Sequence, residues 1–339
     1  MSERRKAWVT LLSNADYIEG VVALMHSLDL VETDFALIVM LTFQLEESQV
    51  AKLQGCELRN VQLFSLPQGN SSKPSYACER FAHCWAKLLM WEWEDEFEQL
   101  VYLDADMLVL RNMDELLRLE LTADGNDDGG GGGSSGGGSG NGDGDGATSA
   151  ASPLPAMRQP WHGRPKGVLA AVQECFCPCV ERKHLCRYAS VDGGGAHYFN
   201  AGLLVLRPCR RVAEGMQAAL RACDLSLFLF AEQDFLNLYF ASSWQRLPWT
   251  YNASKALYAC HRDALWDFGQ IRNLHYTMAK PWNLKDPCNK GFERLNSLWW
   301  AAHAHPETMS RVLLQLHLQE KKRRREAQGI DGQKSFSRE

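Results

Sequence analysis

Two acidic residues one alanine apart, Asp104 and Asp106, stand directly behind an apolar stretch in Leu100-Val-Tyr-Leu-Asp104-Ala105-Asp106-Met-Leu-Val-Leu110. The stretch reads as a buried strand, and on an extended backbone residues two apart share a side. Carboxylates so placed repel each other and lose hydration unless a cation neutralises them. A hard divalent ion with open positions for phosphate oxygens resolves that conflict. The alternative is a pair of surface aspartates in a strand-end turn.

Three further groupings could join such an ion. In His275-Tyr-Thr-Met-Ala-Lys280-Pro-Trp282, His275 at a strand end offers a nitrogen ligand, which favours Mn²⁺ over Mg²⁺ because imidazole suits softer ions; by itself it would be a satisfied core histidine. Lys280 can set a point charge on a diphosphate leaving group. In Tyr198-Phe-Asn200-Ala201-Gly202, Asn200 offers donor and acceptor for sugar hydroxyls and Gly202 permits close backbone approach, unless the run is only a turn entering a core strand. Phe230-Ala-Glu232-Gln233-Asp234 opens a helix; its acids either favour the helix dipole or become catalytic where the fold brings them to the metal. A cysteine group, Cys175, Cys177, Cys179 and Cys186, has spacing poorly suited to tetrahedral zinc, so buried or free thiols are expected there.

The elements that must position these residues alternate. Short β-like runs occur at Ala7 to Leu12, Phe35 to Leu41, Val61 to Phe64 and Leu100 to Leu103; Ile18, Val21, Val22 and Met25 recur at helical spacing between the first two, with Asp16 as cap. That βαβ order implies a mostly parallel sheet flanked by helices, with ligands at the carboxyl ends of its strands. Further strands are expected at Val168 to Val172, Tyr198 to Leu206 and Ile271 to His275, with helices at Val212 to Ala222 and from about Glu232. Asp124 to Ala150 is nearly all Gly, Ser, Asp and Asn, a composition too poor in apolar surface to order itself. Pro306 to Glu326 reads as an amphipathic helix whose Lys321-to-Arg325 cluster is a solvated end rather than a nuclear address or anionic-surface patch. The division is thus a single α/β domain over 1–305, interrupted at 124–150, then a basic helix and tail over 306–339.

With 339 residues, 45% hydrophobic, the chain can bury one large core. A net charge of −5 offers nucleic acid no general attraction. No apolar stretch approaches the roughly 20 residues that span a bilayer, and the start, Met1-Ser-Glu-Arg-Arg-Lys, has no leader pattern. Eleven scattered cysteines fit reduced thiols in a cytoplasmic protein. The first βα turn, Ser13-Asn14-Ala15-Asp16, lacks the GxGxxG of dinucleotide enzymes, and no GxxxxGK[ST] occurs.

In combination and order, the four motifs resemble glycosyltransferase family eight, the group containing glycogenin and galactinol synthase, from Ala7-Trp-Val-Thr-Leu to Lys280-Pro-Trp282. The resemblance implies a GT-A fold, a UDP-sugar donor, Mn²⁺ and transfer with retention. It assigns Asp104, Asp106 and His275 to the metal, with Ala105 between the acids, and Leu11, Ser13, Asn14 and Tyr17 to uridine and ribose. It assigns Lys87 to the donor, Asn200, Ala201 and Gly202 to the sugar-recognition turn, Glu232 and Gln233 to the transferred sugar, and Lys280 to the diphosphate. Glu232 or Asp234 would be the nucleophile of a covalent route; attack on the face that the leaving group vacates needs none. Two departures stand out. The family often has a glycine between the metal histidine and the lysine, and Tyr276 to Ala279 has none. Tyr258 lies near, but out of register with, glycogenin's self-glucosylated tyrosine. The expected partners are UDP-glucose or UDP-galactose and a small polyol or saccharide, with a homodimer left open; the alternatives are a self-glucosylating primer and a silent nucleotide-sugar-binding protein.

Overall fold

In the computed structural model, which describes residues 3–66, 76–77, 79–122, 167–178, 180–189, 197–241 and 243–327, strand β1 (Arg5–Leu12) passes from an exposed rim at Arg5 into complete burial from Ala7 onward. Burial on both faces is what a parallel strand covered by helices requires. Along it, Trp8 joins one apolar cluster while Ala7 and Val9 join the other, so the period-two alternation divides the core into two layers, one on each face of the sheet.

The elements follow in the order α1 (Ile18–Leu30), β2 (Leu37–Leu41), α2 (Glu47–Lys52), β3 (Glu57–Asn60), β4 (Phe97–Leu103), β5 (Met107–Val109), β6 (Leu169–Gln173), β7 (Phe199–Leu206), α3 (Arg210–Ala222), α4 (Glu232–Phe240), β8 (Gln245–Leu247), β9 (Ala253–Ser254), α5 (Lys255–His261), β10 (Asn273–His275), α6 (Glu293–Ala304) and α7 (Met309–Ala327). A long 3-10 segment, Glu79–Glu92, precedes β4. The seven-stranded sheet has the order β3-β2-β1-β4-β7-β6-β8. Its pairings leave β7 alone running against the other six. The mostly parallel single-domain architecture expected from the sequence is the one observed.

A second sheet, β5-β10-β9, positions the chemistry. Antiparallel pairing sets His275 opposite Met107, and the Tyr276 N–H donates to Asp106 O at 2.9 Å. Two segments far apart in the chain thus become neighbours through one strand pair.

Three local expectations are corrected. The third strand is Glu57–Asn60, not Val61 to Phe64; it lies at the sheet edge beside β2, and Arg59 is held there by Glu57 and Glu96, both at 2.8 Å. An edge strand stabilised by charges carries little apolar pattern. The capping residue is Asn14, not Asp16, and it caps the 3-10 turn Ala15–Tyr17 that leads into α1, its side chain accepting the Asp16 N–H at 3.0 Å. In α7, Arg323 and Arg324 are half-buried rather than solvated. Arg323 pairs with Asp263 at 2.6 Å and with buried Glu320, and Arg324 donates to Trp266 O. The Gly-rich stretch 124–150 lies outside the described residues. No described helix is long and apolar enough to cross a membrane.

Candidate active site

A cavity of about 340 Å³ opens where β1 and β4 end, walled by Leu11 from the end of β1 and by Ser13, Asn14 and Tyr17 just after it. Tyr17 is braced edge-on by Trp282, with ring centroids 5.4 Å apart. Across from them β4 ends at Leu103, and Asp104 to Asp106 make a tight turn, closed by the Met107 N–H donating to Asp104 O at 3.1 Å, before β5 begins. The acids are therefore not on an extended segment as first expected; the turn, not the strand period, aims both at the cavity.

His275 Nε2 lies 3.4 Å from Asp106 Oδ1 and 3.7 Å from Asp104 Oδ2. Ligands about 2.1 Å from a shared ion stand roughly 3.0 to 3.5 Å from one another, and one ligand atom from each of the three residues lies within 4.8 Å of the others. The other ring nitrogen, Nδ1, is 2.9 Å from Asn252 Oδ1. A carbonyl oxygen only accepts, so Nδ1 carries the hydrogen and Nε2 is the nitrogen turned towards the acids. Gly202 makes the crowding possible: a Cβ there would stand 2.5 Å from His275 Cε1 and 2.9 Å from Asp104 Oδ2.

The electrostatics are paired. Lys280 Nζ contacts Asp106 and donates to Tyr276 O at 2.9 Å. Burial alone would raise the Asp106 pKa, but Lys280 and His275 hold it far below the usual aspartate value. Lys87, from the 3-10 segment, bridges Asp104 at 3.0 Å and Glu232 at 2.8 Å. Burial would depress Lys87, yet those two carboxylates hold it well above the ordinary lysine value. The Tyr102 hydroxyl donates to Asp104 at 2.7 Å.

A polar chain backs the far wall. Glu174 accepts from Asn200 Nδ2 at 2.7 Å and from Gln233 Nε2 at 3.3 Å. Burial raises its pKa, and likewise that of Glu232. Asn200 Oδ1 accepts from Asn252 Nδ2 and from the Gly202 N–H, both at 2.9 Å, and Gln233 Oε1 accepts the Ala201 N–H at 2.9 Å.

Of the expected residues, Leu11, Ser13, Asn14, Tyr17, Lys87, Asp104, Ala105, Asp106, Asn200, Glu232, Gln233, His275 and Lys280 line the cavity. Ala201 and Gly202 shape it from behind. Asp234 does not line it: its carboxylate accepts the Tyr198 hydroxyl at 2.6 Å and the Phe230 N–H at 2.8 Å. Sequence reasoning missed Glu174 and Asn252; an acid beside Cys175 was the one available cue for the first. The loop without a glycine is resolved by Met278, which lines the cavity and takes φ +66°, the left-handed conformation that a glycine adopts without penalty.

Residues 8–127 and 162–286 match the family model described as "Glycosyl transferase family 8". The chain belongs to that family. This family 8 glycosyltransferase is 28% identical to galactinol synthase 6 of Arabidopsis thaliana over 323 residues, 87% of this chain and 80% of that protein. It is 28% identical to galactinol synthase 1 of Solanum lycopersicum over 290 residues, 81% of this chain and 73% of that one. Among solved structures, galactosyltransferase LgtC with donor and acceptor sugar analogs is similar at TM-score 0.56 and 16% identity, over 88% of this chain and 96% of that chain. The WbbM bifunctional glycosyltransferase is similar at TM-score 0.56 and 16% identity over 92% of this chain, which spans only 51% of WbbM. The fold is GT-A, and the family 8 glycosyltransferase is galactinol synthase-like in sequence.

Proposed function

We propose that this glycosyltransferase takes UDP-glucose or UDP-galactose as donor, holds Mn²⁺ with Asp104, Asp106 and His275, and transfers the hexose with retention to a small polyol or saccharide. The observation that carries the proposal is the convergence of two carboxylates and one imidazole nitrogen at the cavity, at separations suited to a shared ion. That donor set fits Mn²⁺ better than Mg²⁺ because it includes a nitrogen. The bound ion would supply positive charge to the departing diphosphate.

The chain's own groups do the rest. Lys280, oriented by Tyr276 O, places a second positive charge on the same leaving group, where charge develops most. The wall of Leu11, Ser13, Asn14 and Tyr17 binds the nucleoside. Asn200 and Gln233 orient Glu174, whose raised pKa suits it to take the proton that the attacking hydroxyl loses. Glu232, paired with Lys87, serves as nucleophile in a covalent route or as charge partner of Lys87 in a same-face route. Asp234 holds the start of α4 and takes neither part.

Tyr258 favours a separate acceptor. It is buried in α5 against Trp266, ring centroids 4.9 Å apart, and does not line the cavity. The galactinol synthase relatives support the same choice. Incubation with Mn²⁺, UDP-glucose or UDP-galactose and a panel of small polyols and saccharides should release UDP in step with a hexosylated small product, the chain's mass unchanged. A ladder of hexose additions on the chain, lost in Tyr258→Phe, would restore the self-glucosylating alternative; binding without turnover would leave the silent one.

A further inference from the structure

Behind the cavity wall, three buried cysteines and a half-buried histidine converge from separate segments. Cys175 and Cys177 follow β6, Cys186 lies between the 3-10 turns Val180–Leu185 and Arg187–Ala189, and His261 is the last residue of α5. His261 Nε2 is 3.1 Å from Cys177 Sγ and 3.6 Å from Cys186 Sγ. Cys175 and Cys186 Sγ are 3.8 Å apart. One ligand atom from each of the four lies within 4.8 Å of all the others.

Those separations have a chemical meaning. Zinc bonds thiolate sulfur at about 2.3 Å and imidazole nitrogen at about 2.0 Å, so a tetrahedron around it has edges of about 3.8 Å between sulfurs and about 3.5 Å from sulfur to nitrogen. The observed 3.8 and 3.6 Å match these edges, and only the 3.1 Å between Cys177 and His261 is shorter, so a bound ion would move that pair apart by a few tenths of an ångström. We propose that Cys175, Cys177, Cys186 and His261 form a closed Cys₃His site that binds a structural zinc ion. The CxCxC spacing concealed it, because the fourth ligand is 84 residues from Cys177.

The site is chemically distinct from the carboxylate centre and shares no ligand with it. Soft thiolates select zinc, whereas a set dominated by carboxylates suits Mn²⁺. Four protein ligands leave no open position, so the ion would be structural rather than catalytic. Its position shows what it would hold in place, since Cys175, Phe176 and Pro178 line the cavity and the Cys175 N–H donates to Glu174 Oε1 at 2.8 Å. Zinc would pin this wall, and with it Glu174, to α5. The proposal does not depend on the donor or acceptor assigned above.

The test is the zinc content of the full chain, purified without chelators and dialysed against excess Mn²⁺. A stoichiometric zinc ion is expected in the wild type and in Asp106→Asn, most of it lost in C186S and in H261A. Replacing zinc with Co²⁺ in the wild type should give thiolate-to-cobalt charge transfer and a tetrahedral visible spectrum, which decides the matter even where a ligand variant does not fold. Zinc-free wild type with no cobalt–thiolate band, zinc lost in Asp106→Asn but kept in H261A, or a Cys175–Cys186 disulfide in the unreduced chain would each overturn the proposal.

Discussion

Asn252 Oδ1 accepts the His275 Nδ1 hydrogen at 2.9 Å, while Asn252 Nδ2 donates to Asn200 at the same distance. One amide thus fixes the tautomer of the proposed metal ligand and ties it to the wall that carries Glu174. Outer partners of this kind typically change metal affinity roughly 10 to 100-fold. Asn252→Ala should weaken Mn²⁺ binding by that factor, alongside a stability loss of about 1 to 3 kcal/mol from the buried groups it leaves unpaired. Unchanged affinity in a calorimetric titration would remove Asn252 from the site.

Met278 holds a left-handed backbone without being glycine. Its side chain is 45% exposed, so deleting it forfeits little packing, whereas the conformation itself costs about 1 to 2 kcal/mol. Met278→Gly should therefore raise unfolding stability by about 1 kcal/mol. A lower melting temperature would show that the side chain packs against something that matters more than the strain.

Lys87 is 3% exposed and serves two carboxylates at once. Removing one member of a buried pair leaves the other uncompensated, at about 3 to 5 kcal/mol. Lys87→Met should cost stability on that scale, and adding Glu232→Gln should recover part of it, since one of the two stranded charges is then gone. Additive losses in denaturant unfolding would contradict the coupling.

Lys255 donates to Ala279 O at 2.7 Å and Asn289 Oδ1 at 3.1 Å. Burial, aided by Lys280, lowers its pKa to about 8, whereas the unfolded chain keeps a value of about 10.4. Between those values the unfolded state binds more protons, so stability rises with pH, fully present above the unfolded pKa and lost as pH falls through 8. Against a Lys255→Met variant, the wild type should gain stability from pH 8 to 10. A difference between the two that stays constant over that range would refute the shift.

What the sequence disclosed is what local pattern can carry. Buried strands and βαβ order announce themselves through apolar runs, and the acids at the end of such a run through the anomaly of charge beside them. Edge strand β3, built from Glu57, Leu58, Arg59 and Asn60, has no such run. Glu174 and Asn252 carry no spacing cue because tertiary pairing brings them to the site: β6 lies beside β7, and β9 beside β10. The difference between Gln233 and Asp234 is about 100° of rotation on one helix; both meet the Tyr198 hydroxyl, but that angle brings only the first to the cavity, while the second turns back to the Phe230 N–H. Composition shows neither the turn that aims Asp104 and Asp106 nor the histidine that meets the cysteines.

The most direct test of the proposed metal-dependent transfer is UDP formation from UDP-glucose or UDP-galactose as Mn²⁺ is titrated into chelator-treated wild type and Asp106→Asn. The Asn side chain keeps a hydrogen-bond acceptor for Lys280 while withdrawing the anionic ligand. Wild-type turnover should rise from baseline with added Mn²⁺, and Asp106→Asn should stay at least roughly 100-fold lower at saturation, the scale of loss for a transition-state charge stabiliser. Wild-type turnover in metal-free buffer, with Asp106→Asn equally active, would contradict the assignment of Asp104, Asp106 and His275 as the metal centre.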